Sequence, residues 1–112
     1  MVIAVRTLRL VASSGQTVDV RVEIDAPEDR SDHWSCGFRI GWPDGEVTNE
    51  GKGADSVQAL FGALQFIGLL LYSSDHHQQG RLYWGSPGFG HGFPVPSGAR
   101  DLLVGEDAKR QY

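Results

Sequence analysis

The chain has 112 residues, of which 40% are hydrophobic and 21% charged, and its formal net charge is −4. Those values suit one folded domain over residues 1–112 and exclude wholesale disorder. Without a surplus of Lys and Arg there is no field to hold a phosphate backbone, so nucleic acid is not an expected partner. The single cysteine, Cys36, excludes an internal disulfide and any cysteine-based zinc knuckle.

The first segment, Val2 to Ala12, is rich in β-branched residues. Arg6 and Arg9 interrupt the apolar run a signal peptide would need, so it reads as a strand and the cytoplasm is the expected location. Its apolar positions change phase, from Ile3 and Val5 to Leu8 and Leu10, which predicts a bulge or burial on both faces. Ser13 to Gln16 reads as a turn. Thr17 to Ile24 alternates strictly, with Val18, Val20, Val22 and Ile24 on one face, and predicts a half-buried strand.

Asp25 to Asp32 reads as a polar surface loop. His33 to Ile40 is a third strand, with Trp34, Cys36, Phe38 and Ile40 on one face, and Trp42-Pro43-Asp44-Gly45 supplies the residues of a type I hairpin turn closed through a bulge. A short returning strand is predicted from Glu46 to Glu50, broken by Gly51-Lys52-Gly53.

Asp55 to Tyr72 is the longest periodic apolar run. Asp55 is the predicted N-cap, and Gln58 completes a capping box. Val57, Leu60, Phe61, Leu64, Ile67 and Leu71 form a stripe widened by Ala59, Ala63, Phe66 and Leu70. Gln58 and Gln65, and the shortness of the apolar part, favour a core helix over a membrane span. Its apolar arc exceeds what one sheet covers, with Leu69 near the polar edge, and predicts a homodimer.

Ser74 to Gly80 is a polar exit loop, and Arg81 to Trp84 a short strand. Residues 85–96 alternate Gly and Pro with aromatics and have no period. Leu102 to Val104 is a last apolar patch, a strand or turn, and residues 105–112 are expected to fray. The expected fold is α+β: a two-layer sandwich of order β-β-β-β-α-β. One long apolar helix covers an antiparallel sheet of four to five strands.

No catalytic constellation and no cofactor site emerge. His33 and Cys36 fall on opposite faces of one strand, so a nucleophile and base pair is not formed and Cys36 is expected to be a buried core residue. Gly88 to Gly92 lacks the Lys-Ser/Thr of a phosphate loop, and Pro94 and Pro96 forbid a following helix. Tyr83, Trp84, Phe89, His91 and Phe93 form a candidate interaction surface; alternatively, Trp84, Phe89 and Phe93 fold back as a lid that seals one end of the core. His76, His77 and His91 are weak metal candidates, since adjacent histidines diverge on an extended chain and suit a helix C-terminus without a metal.

W-x-C-x-F-x-I (Trp34 to Ile40), G-x-D-S-x-Q-A-L (Gly53 to Leu60), G-R-L-x-W (Gly80 to Trp84) and G-F-P (Gly92 to Pro94) resemble a family of small uncharacterised bacterial proteins, a domain of unknown function. The resemblance spans roughly Val18 to Pro96 and implies a fold, a bacterial origin and no established activity. The leading expectation is a non-enzymatic module for an unknown protein partner, such as an immunity-type protein or an assembly subunit. The alternative is a small-molecule or metal-binding protein using His76, His77 and His91.

Overall fold

The computed structural model describes residues 1–109. Strands β1 (Val2–Val11), β2 (Thr17–Asp25), β4 (Trp34–Trp42) and β5 (Gly45–Gly53) form an antiparallel meander. The two-residue strand β3 (Glu28–Asp29) lies in the segment read as a loop and pairs with the start of β4. After helices α1 (Ser56–Ser73) and α2 (Asp75–Gln78), β6 (Leu82–Tyr83) returns to β1. The result is an open six-stranded sheet with α1 on one face, the expected α+β sandwich.

The strand patterning carries through to burial. Val20, Val22 and Ile24 of β2 join Leu8, Leu10, Cys36, Phe38 and Ile40 in the core. The opposite face is a ladder of charge: Arg39 grips the Asp25 carboxylate with two bonds of 2.8 and 2.9 Å, and Arg21 reaches Glu23 at 3.1 Å. The Arg39 guanidinium, against desolvation, holds the Asp25 carboxyl below the usual carboxylate range. A bulge does occur in β1, between Val2 and Ala4, but the register is unbroken from Ala4 to Val11, so the phase change is no kink: Val5 lies on the exposed face and Leu8 and Leu10 on the buried face of one regular strand. Pro43 and Asp44 make the expected tight turn, but Trp42 lies opposite Gly45 and the β4–β5 register has no shift, so the hairpin closes without the expected bulge.

β5 does not break at Gly51. It continues to Gly53, because these glycines supply space rather than a turn. A Cβ on Gly53 would lie 2.5 Å from the Ala59 nitrogen, and one on Gly51 would lie 2.6 Å from the Ala59 oxygen and closer still to the Ala63 nitrogen. The helix backbone therefore rests directly on the strand, through a seam of glycines below and Ala59 and Ala63 above. This seam sets which face of α1 is inward. Ala59, Ala63, Ile67 and Leu71 are buried, while Val57 (72% exposed) and Phe61 (39%) leave the predicted stripe for solvent.

The start of α1 follows its capping chemistry. Asp55 Oδ1 accepts from the Gln58 N–H at 2.8 Å, and Gln58 Oε1 reaches back to the Ala54 N–H at 2.6 Å. α1 is also the one helix among the described residues long and apolar enough to cross a bilayer, with a mean hydropathy of 1.5. In this fold its apolar face lies on the sheet.

At its end, Ser74 closes α1 by donating to Leu71 O at 2.7 Å and caps α2 by accepting from the His77 N–H at 3.2 Å. The segment read as an exit loop is thus a short helix. Beyond β6 the chain folds back on the helix exit. A 3-10 turn (Ser97–Leu102) and α3 (Gly105–Lys109) bring Val95 and Leu103 onto Tyr72, forming a second small core. Residues 105–109, expected to fray, are helical, with Asp107 buried; the rest of that expectation lies outside the described residues.

Candidate functional site

The glycine-rich loop, residues 85–96, is fastened from below by one carboxylate. Asp107 Oδ2 accepts the Tyr72 hydroxyl at 2.5 Å, the His91 N–H at 3.1 Å and the Gly92 N–H at 2.8 Å. Burial, then the adjacent Asp107, raises the Tyr72 hydroxyl pKa well above its ordinary value, so it stays a donor. From the other side Arg6 donates to Gly92 O at 2.8 Å and stacks its guanidinium 3.8 Å from the Trp84 ring. Gly92, at φ 78°, is the residue that allows this: a Cβ there would meet the Trp84 ring at 2.5 Å and Arg6 Nη1 at 2.6 Å. Gly68 is equally tight against Pro94 O, so α1 and the loop touch backbone to backbone.

The same folding back joins two of the four histidines. His91 Nε2 lies 3.0 Å from His77 Nδ1, and the His77 and His91 rings both pack on Tyr72. His91 Nδ1 is buried without a partner. A buried N–H without an acceptor is the costlier orphan, so the tautomers are assigned: His91 Nε2–H donates to His77 Nδ1, and His91 Nδ1 is a bare lone pair. Burial, reinforced by His77 and opposed by Asp107, depresses the His91 pKa to about 4, and burial lowers that of His77. Both rings are therefore neutral at pH 7. They border a hollow of about 340 Å³ lined also by Tyr83, Pro87, Gly88 and Val104.

The other sequence candidates separate. His76 is stacked on Trp42 with ring centroids 4.8 Å apart, and its Nε2 is 3.9 Å from Asp44 Oδ1, so it stands away from the His77–His91 pair. His33 is bonded to Asp32 at 2.7 Å, while Cys36 sits fully buried with Sγ 3.3 Å from Asp25 O, and burial pushes its thiol pKa up. Of the aromatic loop set, Phe93 and His91 are buried, Tyr83 is half-buried, and Trp84 (41%) and Phe89 (59%) face solvent. Of the three expected lid residues, Phe93 packs into the core and Trp84 and Phe89 do not.

Among the described residues, no three His, Cys, Asp or Glu side chains converge as a metal site. An acidic hollow of about 330 Å³ on the open sheet face has its carboxylates engaged internally, Asp25 with Arg39, Glu28 with Arg30 and Glu50 with Ser35. Sequence reasoning missed Asp107, which carries no local signal, and Tyr72, which reads as the last residue of an apolar stripe.

An antiparallel meander covered by one helix through a glycine–alanine seam, and closed by an aromatic loop, defines the class. The chain belongs to the family described as Domain of unknown function (DUF6968), which matches residues 4–95. The match includes most of β1, which the motif resemblance from Val18 left out. No curated protein and no solved structure matches the chain.

Proposed function

We propose that this chain is a non-enzymatic protein-interaction module whose recognition surface is the rim of the aromatic loop. One observation carries the reading: Trp84 and Phe89 are exposed on a loop that Asp107, Arg6 and Gly92 hold in place. Rigid, exposed aromatics bind at low entropic cost and are the commonest interface anchors. An immunity-type protein or a subunit of a bacterial assembly would use such a surface. The test is site-specific photocrosslinking in the native host, with a benzophenone side chain at position 89 and a control at position 46 on β5. A discrete adduct from 89 alone is expected, diminished by Trp84→Ala; equal labelling from both positions would remove the reading.

A second reading, a small-molecule or metal site, rests on the approach of His77 and His91 beside the 340 Å³ hollow. His76 takes no part in it. Metal analysis of protein purified without chelators, with a thermal-shift series in divalent ions, checks it. Absence of bound metal and of any shift abolished by His77→Ala would eliminate the metal form.

A further inference from the structure

We infer that the hollow bordered by the β1–β2 turn, the Pro43–Asp44 turn and α2 binds a small zwitterion, an α-amino acid, with its carboxylate on Arg81 and its ammonium on Asp44. This site goes beyond the aromatic loop and depends on neither reading of it. Among the described residues, Arg81 is the one Lys or Arg side chain with neither an ion pair nor a hydrogen bond, yet it is half-buried. A guanidinium partly withdrawn from water without a counter-charge is costly, so its position points to an anionic group from outside the chain. The Arg81 backbone is pinned from both sides. Its N–H donates to His76 O at 3.0 Å, and its carbonyl accepts from the Val11 N–H at 3.0 Å. The residue is therefore in place before any ligand arrives, which lowers the cost of binding.

Asp44 borders the same hollow, of about 210 Å³, without forming an ion pair with Arg81. His76 Nε2 stands 3.9 Å from Asp44 Oδ1, beyond hydrogen-bond reach, so the carboxylate keeps its acceptor sites. Asp44 is held by the tight β4–β5 turn, and His76 by its stack on Trp42. The rest of the lining is largely apolar, with Leu10, Ala12 and Pro43. A plain anion would satisfy Arg81 and be repelled by Asp44, and a plain cation would meet the reverse. A zwitterion meets both, and the planar guanidinium fork matches its carboxylate with two bonds. The volume lies below the roughly 300 Å³ at which drug-sized sites begin, so a nucleotide or peptide is too large and an amino acid with a short apolar side chain fits. The acidic hollow on the open sheet face differs, since its Arg30 is already paired with Glu28.

NMR titration of the full chain with glycine, L-alanine and L-valine is expected to shift the amides of Ser13, Asp44 and Arg81 saturably, in the millimolar range that two solvent-facing charge contacts allow. Isovalerate, which is valine without its ammonium, and isobutylamine, which is valine without its carboxylate, should each bind about tenfold more weakly than L-valine. Arg81→Gln and Asp44→Asn should each abolish that preference with an unchanged circular dichroism spectrum, since Asn suits the same turn. Arg30→Gln, on the open sheet face, should leave it intact. Should Arg81→Gln fail to fold, the comparison of valine with its two analogues on the wild type decides alone. No saturable shift from any of the three amino acids, an isovalerate or isobutylamine affinity equal to that of valine, or valine binding unchanged in folded Arg81→Gln would each overturn the inference.

Discussion

Gly51→Ala tests the seam on which α1 rests. The added Cβ would sit 2.6 Å from the Ala59 oxygen, against backbone that cannot rotate aside. Ordinary carbon contacts are about 3.5 Å, so helix and strand must part by roughly 1 Å, and a gap of that size forfeits a quarter to a half of each dispersion contact along the seam. Ala59, Ala63, Ile67 and Leu71 all pack through this face. The expected loss is about 3 kcal/mol, at the upper end of overpacking and a large share of a typical 5–15 kcal/mol stability. Gly62→Ala is the internal control, because its nearest neighbour, Lys52 O, is at an ordinary 3.5 Å. It removes a helix-interior glycine and should stabilise by roughly 0.5–1 kcal/mol. Urea denaturation of both variants, with equal m-values, measures the pair. A Gly51→Ala loss under about 1 kcal/mol, or an equal loss in Gly62→Ala, would refute the backbone-contact account.

Asp107→Ala leaves the Tyr72 hydroxyl and the His91 and Gly92 N–H groups without their acceptor, at an expected cost of about 3–5 kcal/mol; amide exchange at His91 and Gly92 should accelerate more than exchange in β2. Acid should weaken the fold through His91. Its folded pKa is about 4 against an ordinary 6.5, so the unfolded chain takes up the proton first. Stability is complete above pH 6.5 and falls as pH drops towards 4, by up to ~3 kcal/mol. His77 and Asp107 face the ring, and His77, also depressed, adds to the same slope. Urea midpoints at pH 7 and 4.5 should differ more for the wild type than for His91→Gln; parallel profiles would remove His91 as the cause. Arg39→Ala, on the solvated face of the sheet, should cost only about 1 kcal/mol and less in high salt, readable in the same titrations.

Much of the scaffold was legible because it depends on neighbours in sequence. The alternation of Thr17–Ile24, the Asp55–Gln58 cap and the Pro43–Asp44 turn are local physics, and each appears in the fold. The seam was misread for a specific reason. A glycine signals freedom of φ in the sequence, whereas Gly51 and Gly53 serve by having no Cβ, and that need is visible only once α1 lies above them. The same close approach turned Val57 and Phe61 outward, since helical periodicity fixes a stripe's width and not which edge meets the sheet. The histidine pair and the Asp107 fastening join residues 14 to 35 positions apart through a segment without period, and no local pattern announces them. Ser74 was the one available clue, since a serine ahead of Asp75 is the start signal of the short helix α2 that carries His77.

The reach of Asp107 bears on where this domain ends. The family match closes at residue 95, yet the carboxylate that ties Tyr72 to the loop comes twelve residues later, from α3. Similarity and cooperativity therefore draw different boundaries. A chain stopped at Val95 would keep every matched position and still strip Tyr72 of both Leu103 and its acceptor, so the unit that folds is longer than the unit that is shared.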